Sequence, residues 1–283
     1  MGLIDNNEII YKSSKSFFWA SKFLSEEILH RVINIYSFCR IHDDLVDENI
    51  EATDKKEIQL LEQKIKSYGI SGDVISELTR GINSDINFKR YKNNAALIKY
   101  CYRVAGIVGL MMIKALKIKS IEASYYAIDL GIAMQLTNIS RDIMEDFNKK
   151  RIYLPEDSGI TSDILDNPNE INNMKIRNEV NKILIKSDIY YKSSLNGFRY
   201  IPIKSRFSIL VALRIYEAIG KKIKRTGVRF LNENIYINNY EKLYIVLKTI
   251  IEFIIFFIFP FHRKKHNPYL HEHLQGMINV NKL

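Results

Sequence analysis

The chain reads as an all-α protein of a single domain, and three features of its 283 residues point there. All five prolines fall at or after Pro155, so the first half of the chain contains no helix breaker. Apolar residues recur at helical spacing, as at Phe207, Leu210, Leu213, Tyr216, Ile219 and Ile223. Alternating apolar and polar runs bounded by turn residues, the mark of strands, are scarce. No internal repeat or low-complexity linker divides residues 1–283, which therefore read as one helical unit.

Taken in order, a first helical region starts near Ser14 and Ser16 and runs through Val32, Ile33, Ile35, Tyr36, Phe38 and Ile41. A central apolar helix holds Tyr100 to Gly109, and another holds Ile128, Leu130, Ile132, Met134, Leu136, Ile139 and Ile143. The longest irregular segment is expected around Phe147 to Glu170, where Pro155, Gly159 and Pro168 cluster. After the periodic stretch that ends at Ile223, Leu243 to Phe261 is almost wholly apolar, with only Lys248 and Glu252 as charges, and a basic tail His262-Arg263-Lys264-Lys265-His266 follows. That is about the 20 residues a bilayer crossing needs, but two central charges four apart argue against free insertion. A core helix and an interfacial helix with a basic anchor both fit this segment.

Two aspartate pairs at i, i+4 spacing stand out within these helices: Asp43 with Asp47, and Asp142 with Asp146. Residues four apart lie one turn above each other, with Cβ atoms roughly 5–6 Å apart, so each pair aims two like charges the same way. A lone acid pair is commonly a solvated helix face. Here the flanks are apolar around most of the helix, and carboxylates on buried helices are paired, metal-bound or perturbed. Arg40 lies three before Asp43 and Arg141 beside Asp142, so salt bridging accounts for one cluster but less easily for two of one design. Divalent cations that share carboxylate and phosphate oxygens would offset the repulsion in both.

Composition narrows the partners. A net charge of +10 raises the possibility of nucleic acid, but the Lys and Arg residues are scattered and no zinc or RNP-type motif is present, so no nucleic-acid partner is expected. A phosphate-bearing ligand and an anionic membrane surface use the same charge. Cys39 and Cys101 both lie in apolar helical runs, which suits a reducing compartment, and Met1 to Ser16 lacks the apolar core of a signal peptide. A cytoplasmic protein in peripheral contact with membrane is the expectation.

A family resemblance rests on specific runs. Ser14-Lys15-Ser16-Phe17-Phe18 and Tyr36-Ser37-Phe38-Cys39-Arg40 leading into Asp43-Asp44-Leu45-Val46-Asp47 resemble the first signature of the squalene/phytoene synthases, the head-to-head prenyl transferases. Tyr100-Cys101-Tyr102-Arg103-Val104-Ala105-Gly106-Ile107-Val108-Gly109 resembles their central motif, and Gln135 through Asp146 to Arg151-Ile152-Tyr153-Leu154-Pro155 their second aspartate signature. Ala212-Leu213-Arg214-Ile215-Tyr216 resembles the helix that follows. The likeness spans about residues 12 to 250, with the motifs in order.

The resemblance implies an isoprenoid-synthase-type bundle around a central apolar cavity, and magnesium, with manganese possible, held by Asp43, Asp47, Asn138, Asp142 and Asp146. It further implies diphosphate contacts from Ser14, Ser16, Arg40 and Arg141, and a substrate site lined by Phe17, Tyr36, Tyr100, Gln135 and Tyr216; taken alone, each of these tyrosines is more commonly a core residue than a catalytic one. Phe18, Val104, Ala105, Ile107, Val108 and Met134 are candidates for an apolar lining that keeps water from a carbocation. Gly106 and Gly109 suit close approach of a helix or of substrate. Asn234 stands where the family often carries an arginine, with Lys221, Lys222, Lys224 and Arg225 nearby. The motif wording favours the phytoene branch: two geranylgeranyl diphosphates joined through a cyclopropylcarbinyl diphosphate, with proton loss and no NADPH. A C30 synthase using farnesyl diphosphate and a non-catalytic membrane-surface relative are the alternatives.

Overall fold

The computed structural model of the protein describes residues 19–47, 52–258 and 264–283. Its main elements are α1 (Glu26–Asp47), α2 (Ala52–Ser67), α3 (Gly72–Asn83), α4 (Asn94–Cys101), α5 (Ile107–Ala115), α6 (Ile121–Arg141), α7 (Ile143–Asn148), α8 (Ser162–Asp166), α9 (Glu170–Leu195), α10 (Ile203–Thr226) and α11 (Asn239–Ile258). Among the described residues there is no strand, as expected from the absence of alternating patterns.

Helix α6 is the axis of the bundle. It contacts α5, α9 and α10, most extensively α9, and Ile128, Ile132, Ala133 and Leu136 on it are fully buried. A buried polar cluster fixes its register against α9: the Thr137 hydroxyl lies 3.1 Å from that of Ser187 and 3.0 Å from that of Tyr191, and Ser187 donates to the Ala133 carbonyl at 2.9 Å. Such bonds cost a great deal if left unmade in a core, so they admit few alternative registers.

Glycines set the other side of α6. A Cβ on Gly131 would lie 2.2 Å from the Ala105 carbonyl oxygen, and one on Gly109 of α5 2.2 Å from that of Ala127. Gly109 thus serves backbone-to-backbone helix packing. Between α4 and α5 the chain makes one π-helical turn, Tyr102–Gly106, which leaves Asn94–Ala115 a nearly continuous helix. Among the described residues this is the stretch long and apolar enough to cross a membrane, and Leu97, Ile98, Cys101, Tyr102, Ile107 and Met111 on it are buried in the core.

Two expectations are refined. The segment expected to be irregular carries a 3-10 turn at Glu156–Ser158 and the short α8. Arg90 ties it down by donating to the carbonyls of Leu154 and Pro155, both at 2.9 Å. The apolar C-terminal helix begins earlier than hydropathy alone suggests, because Asn238 and Glu241 form a reciprocal cap: Asn238 N–H donates to Glu241 at 2.7 Å, and Glu241 N–H to Asn238 at 2.9 Å.

Helix α11 is neither wholly core nor free. Val246 and Thr249 are buried against α10, whereas Leu247, Ile251 and Ile254 are more than half exposed. Of its two central charges, Lys248 is exposed, and Glu252 turns inward to form a two-pronged pair with Arg214 of α10. The basic tail is not a simple exposed anchor either. Lys264 and Lys265 are exposed, but His266 is buried, and Leu274 and Val280 beyond it enter the core.

Candidate active site

The second aspartate pair sits where α6 gives way to α7. Asp142 is the junction, with φ −100° and ψ 16°, so the sequence expectation of an unbroken helix is corrected by one residue. Helical bonding nevertheless carries through it: Asp142 N–H donates to the Asn138 carbonyl at 2.9 Å, and Asp146 N–H to that of Asp142 at 2.8 Å. Asn138, Asp142 and Asp146 therefore stay in one column at four-residue spacing.

Charge along that column is uneven. Arg141 clamps Asp142 through Nε to Oδ1 and Nη2 to Oδ2, each at 2.6 Å, and this pairing holds the guanidinium's proton even more firmly than usual against the cost of burial. Burial, with Asp142 and Glu145 close by, pushes the Asp146 carboxyl up to about 7. Asn138 donates weakly to Gln135 at 3.5 Å, while its Oδ1 is buried without a hydrogen-bond partner. A buried acceptor oxygen and an under-compensated carboxylate one turn on either side of Asp142 fit a hard divalent cation with oxygen ligands.

The other anticipated residues fall in different states. Tyr216 of α10 is half-buried and close enough to Arg141 to influence its charge. Tyr36 is half-buried on α1, and Arg40 and Asp43 are exposed toward its end. Asp43 helps push the Cys39 thiol up, although burial is the main cause. Burial does the same to Cys101, so neither cysteine is a reactive thiolate. Ser14, Ser16, Phe17 and Phe18 lie outside the described residues, as does the side chain of Asp47. Of the lining candidates, Val104, Ala105, Val108 and Met134 are half-buried and Ile107 is fully buried.

Tyr100 lies in an aromatic nest. It stacks on Tyr153 at 5.1 Å and sits 5.1 Å from Tyr91, and Phe88 packs edge-on against Tyr153 at 5.2 Å. Its hydroxyl donates to Asp85 at 2.8 Å. Tyr153 in turn lines a small cavity with Asp146, Arg151 and Ile143. The nest therefore adjoins the second aspartate pair. Sequence reasoning missed Asp85, a single acid on the turn after α3 with no local pattern to mark it.

The region of the absent arginine is also visible. Asn234 is exposed. Lys222 is engaged by Glu241 at 2.8 Å and Lys224 by Asp188 at 2.6 Å. Lys221 and Arg225 face an open groove between α10 and α11, with Tyr240 and Tyr244 on its far wall.

A second acid-histidine cluster, Asp129 with His266 and His271, is almost fully buried and has spacing suited to a metal. Its hydrogen bonds argue otherwise. Asn281 N–H donates to His271 Nδ1 at 2.9 Å, so Nε2 carries the ring proton and points it at Asp129 Oδ1, 3.2 Å away. A metal on Nε2 would need the proton on Nδ1, facing that backbone N–H. His266 Nε2 completes the cluster at 3.0 Å from Asp129 Oδ2. The cluster latches residues 264–283 onto α6, while Tyr102 of the π-helical turn and Tyr190 of α9 hold the same segment by donating their hydroxyls to the carbonyls of Ile278 and Leu270 at 2.7 and 2.9 Å.

Comparison with known proteins agrees with the motifs. A family profile described as squalene/phytoene synthase matches residues 10–69 and 51–241. The chain is 30% identical over 248 residues to the 15-cis-phytoene synthase of Enterobacter agglomerans, covering 76% of this chain and 83% of that one. It is 27% identical over 274 residues to the 15-cis-phytoene synthase of Pantoea ananas, covering 85% and 88%. Among solved structures, a dehydrosqualene synthase in complex with ligand superposes with a TM-score of 0.75 at 25% identity, covering 87% of this chain and 94% of that chain.

Proposed function

The chain belongs to the squalene/phytoene synthase family, and on that premise we propose that it joins two geranylgeranyl diphosphates head to head to make phytoene. The observation that carries this reading is the column Asn138, Asp142 and Asp146, with its orphaned acceptor and its carboxyl pushed up to about 7. The phytoene synthases among its relatives favour the C20 substrate.

Asn138, Asp142 and Asp146, together with Asp43 and Asp47 of the first motif, would hold magnesium or manganese, which when bound supplies the positive charge that eases departure of diphosphate. Arg141 can exchange its hold on Asp142 for phosphate oxygens, which fit a guanidinium fork equally well. Apolar groups on α4, α5 and α6 exclude water. The coupled cation then ends by losing a proton to leave a central double bond, a route that requires no NADPH.

Product analysis tests this reading. Purified protein incubated with geranylgeranyl diphosphate and magnesium should give phytoene, identified by mass, with or without NADPH. Strict NADPH dependence or a saturated central bond would overturn it. The likeness to a dehydrosqualene synthase favours a second reading, C30 coupling, which farnesyl diphosphate in a parallel incubation would reveal.

Contact with a membrane surface belongs to the same proposal. The outer face of α11 presents Leu243, Leu247, Ile250, Ile251, Ile254 and Ile255, each at least two-fifths exposed, and the exposed Lys248, Lys264 and Lys265 suit anionic headgroups. A C40 hydrocarbon must leave into lipid, and no cytoplasmic carrier is needed if the enzyme rests on the bilayer.

A further inference from the structure

The open groove between the second half of α10 and the first turns of α11 has a volume of about 410 Å³, within the range of roughly 300–1,000 Å³ usual for small-ligand sites. Its floor is apolar, with Ala218 and Ile245. Its rim is cationic. Lys221, Lys222 and Arg225 line it, and the acid among them, Glu241, is already engaged: it accepts from Lys222 at 2.8 Å and from the Asn238 N–H at 2.7 Å. Lys221 is exposed and lies 3.5 Å from Glu217, a carboxylate that it shares with Arg214. Arg225 is exposed and pairs with no acid among the described residues. A guanidinium and an ammonium one turn apart over an apolar floor suit an anionic phosphate carried on an apolar chain.

The groove opens onto the outer stripe of α11. Tyr240, Tyr244, Leu247, Ile251 and Ile254 recur at three- and four-residue spacing, and each is more than half exposed. The two tyrosines stand at the end of the stripe that borders the groove, and tyrosine on such a surface settles at headgroup level, its ring apolar and its hydroxyl wet. Lys248, one turn beyond Tyr244 and exposed, continues the cationic flank along the helix. Apolar stripe, aromatic end and free cations therefore meet at one place.

We infer that this groove is a binding site for the headgroup of one anionic phospholipid, with the phosphate between Lys221 and Arg225 and the acyl chains along the outer face of α11. This deepens the membrane-contact reading above and rests on it. A zwitterionic headgroup would bring its own ammonium against two cations, so the site selects net negative charge. It also fixes how α11 lies, with the Tyr240 end at the headgroups and the stripe toward the acyl chains. General attraction of a chain of net charge +10 to a charged bilayer would do neither.

The test separates a built site from general attraction. Full-length protein is sedimented with vesicles of phosphatidylcholine alone and of equal parts phosphatidylcholine and phosphatidylglycerol. Removing a cation anywhere beside a charged bilayer weakens binding about fivefold. Lys221→Gln with Arg225→Gln should weaken binding to the phosphatidylglycerol vesicles at least about tenfold more than Lys264→Gln with Lys265→Gln, which removes the same charge from exposed positions outside the groove. Arg225→Lys keeps the charge but loses the planar fork, and should weaken binding several-fold as well. Equal losses for the two pairs, with Arg225→Lys at the wild-type level, overturn the inference. Release of the wild-type protein by inorganic phosphate, at an ionic strength matched with chloride, would mark a free-anion site and overturn it too, as would release by geranylgeranyl diphosphate, which would mark a substrate site. If the wild-type protein binds neither kind of vesicle, the membrane reading has failed and the groove with it; if it binds and the two pairs lose equally, only the groove has failed.

Discussion

Arg141 grips the carboxylate of its own chain neighbour, Asp142, in a two-pronged contact with both N···O distances at 2.6 Å. The pairing neutralises Asp142 and leaves Asp146, one turn on, without an equal partner. Burial, and then the neighbouring Asp142 and Glu145 charges, push its carboxyl up to about 7.

A pH dependence of stability follows. In the unfolded chain an aspartate titrates near 4, as model peptides do. Between about pH 4 and pH 7 the folded protein therefore holds a proton that the unfolded chain has lost, and stability falls as pH rises through that window. In metal-free protein, the melting temperature of wild type relative to Asp146→Asn should drop between pH 5 and pH 7.5. Added magnesium should remove the difference at the higher pH. Parallel profiles for the two proteins would contradict the assignment.

Backbone contact at Gly131 gives a second prediction. Helix propensity alone favours alanine over glycine by about 1 kcal/mol. The new Cβ, however, would meet the Ala105 carbonyl oxygen at 2.2 Å. Gly131→Ala should thus destabilise by about 1–3 kcal/mol, the usual cost of overpacking, in urea unfolding. A stabilised variant would show that the helices move apart freely.

The outer face of α11 is the third test. Leu247→Glu with Ile251→Glu should abolish co-sedimentation with anionic vesicles while circular dichroism stays unchanged, because both side chains are more than half exposed. High salt should release the wild-type protein as well, since screening weakens attraction to headgroups. Retention after both salt and alkaline washes would indicate an integral attachment instead.

Much of this was readable from the sequence, and what escaped it shares a cause. Helical periodicity located α10, and apolar residues around most of the helix located α6, because α6 is enclosed by α5, α9 and α10. The four-residue spacing of Asn138, Asp142 and Asp146 placed the column, because it depends on local backbone geometry alone. Asp85 and Glu252 were hidden because their partners, Tyr100 and Arg214, are distant in sequence and no periodicity encodes such a pairing. The latch at Asp129 was equally out of reach: it joins residues 137 and 142 positions apart. In the same way His266 read as part of a basic anchor until the fold carried it into the core.

The account stands or falls on the second aspartate column as a cation site serving the diphosphate. The most direct measurement is steady-state turnover of prenyl diphosphate by Asp142→Asn at saturating magnesium. The expected result is a loss in kcat of at least about a hundredfold, the scale of one removed electrostatic transition-state contact, with a nearly unchanged melting temperature. Wild-type turnover by this variant, or full turnover of the wild-type protein in excess chelator, would contradict it.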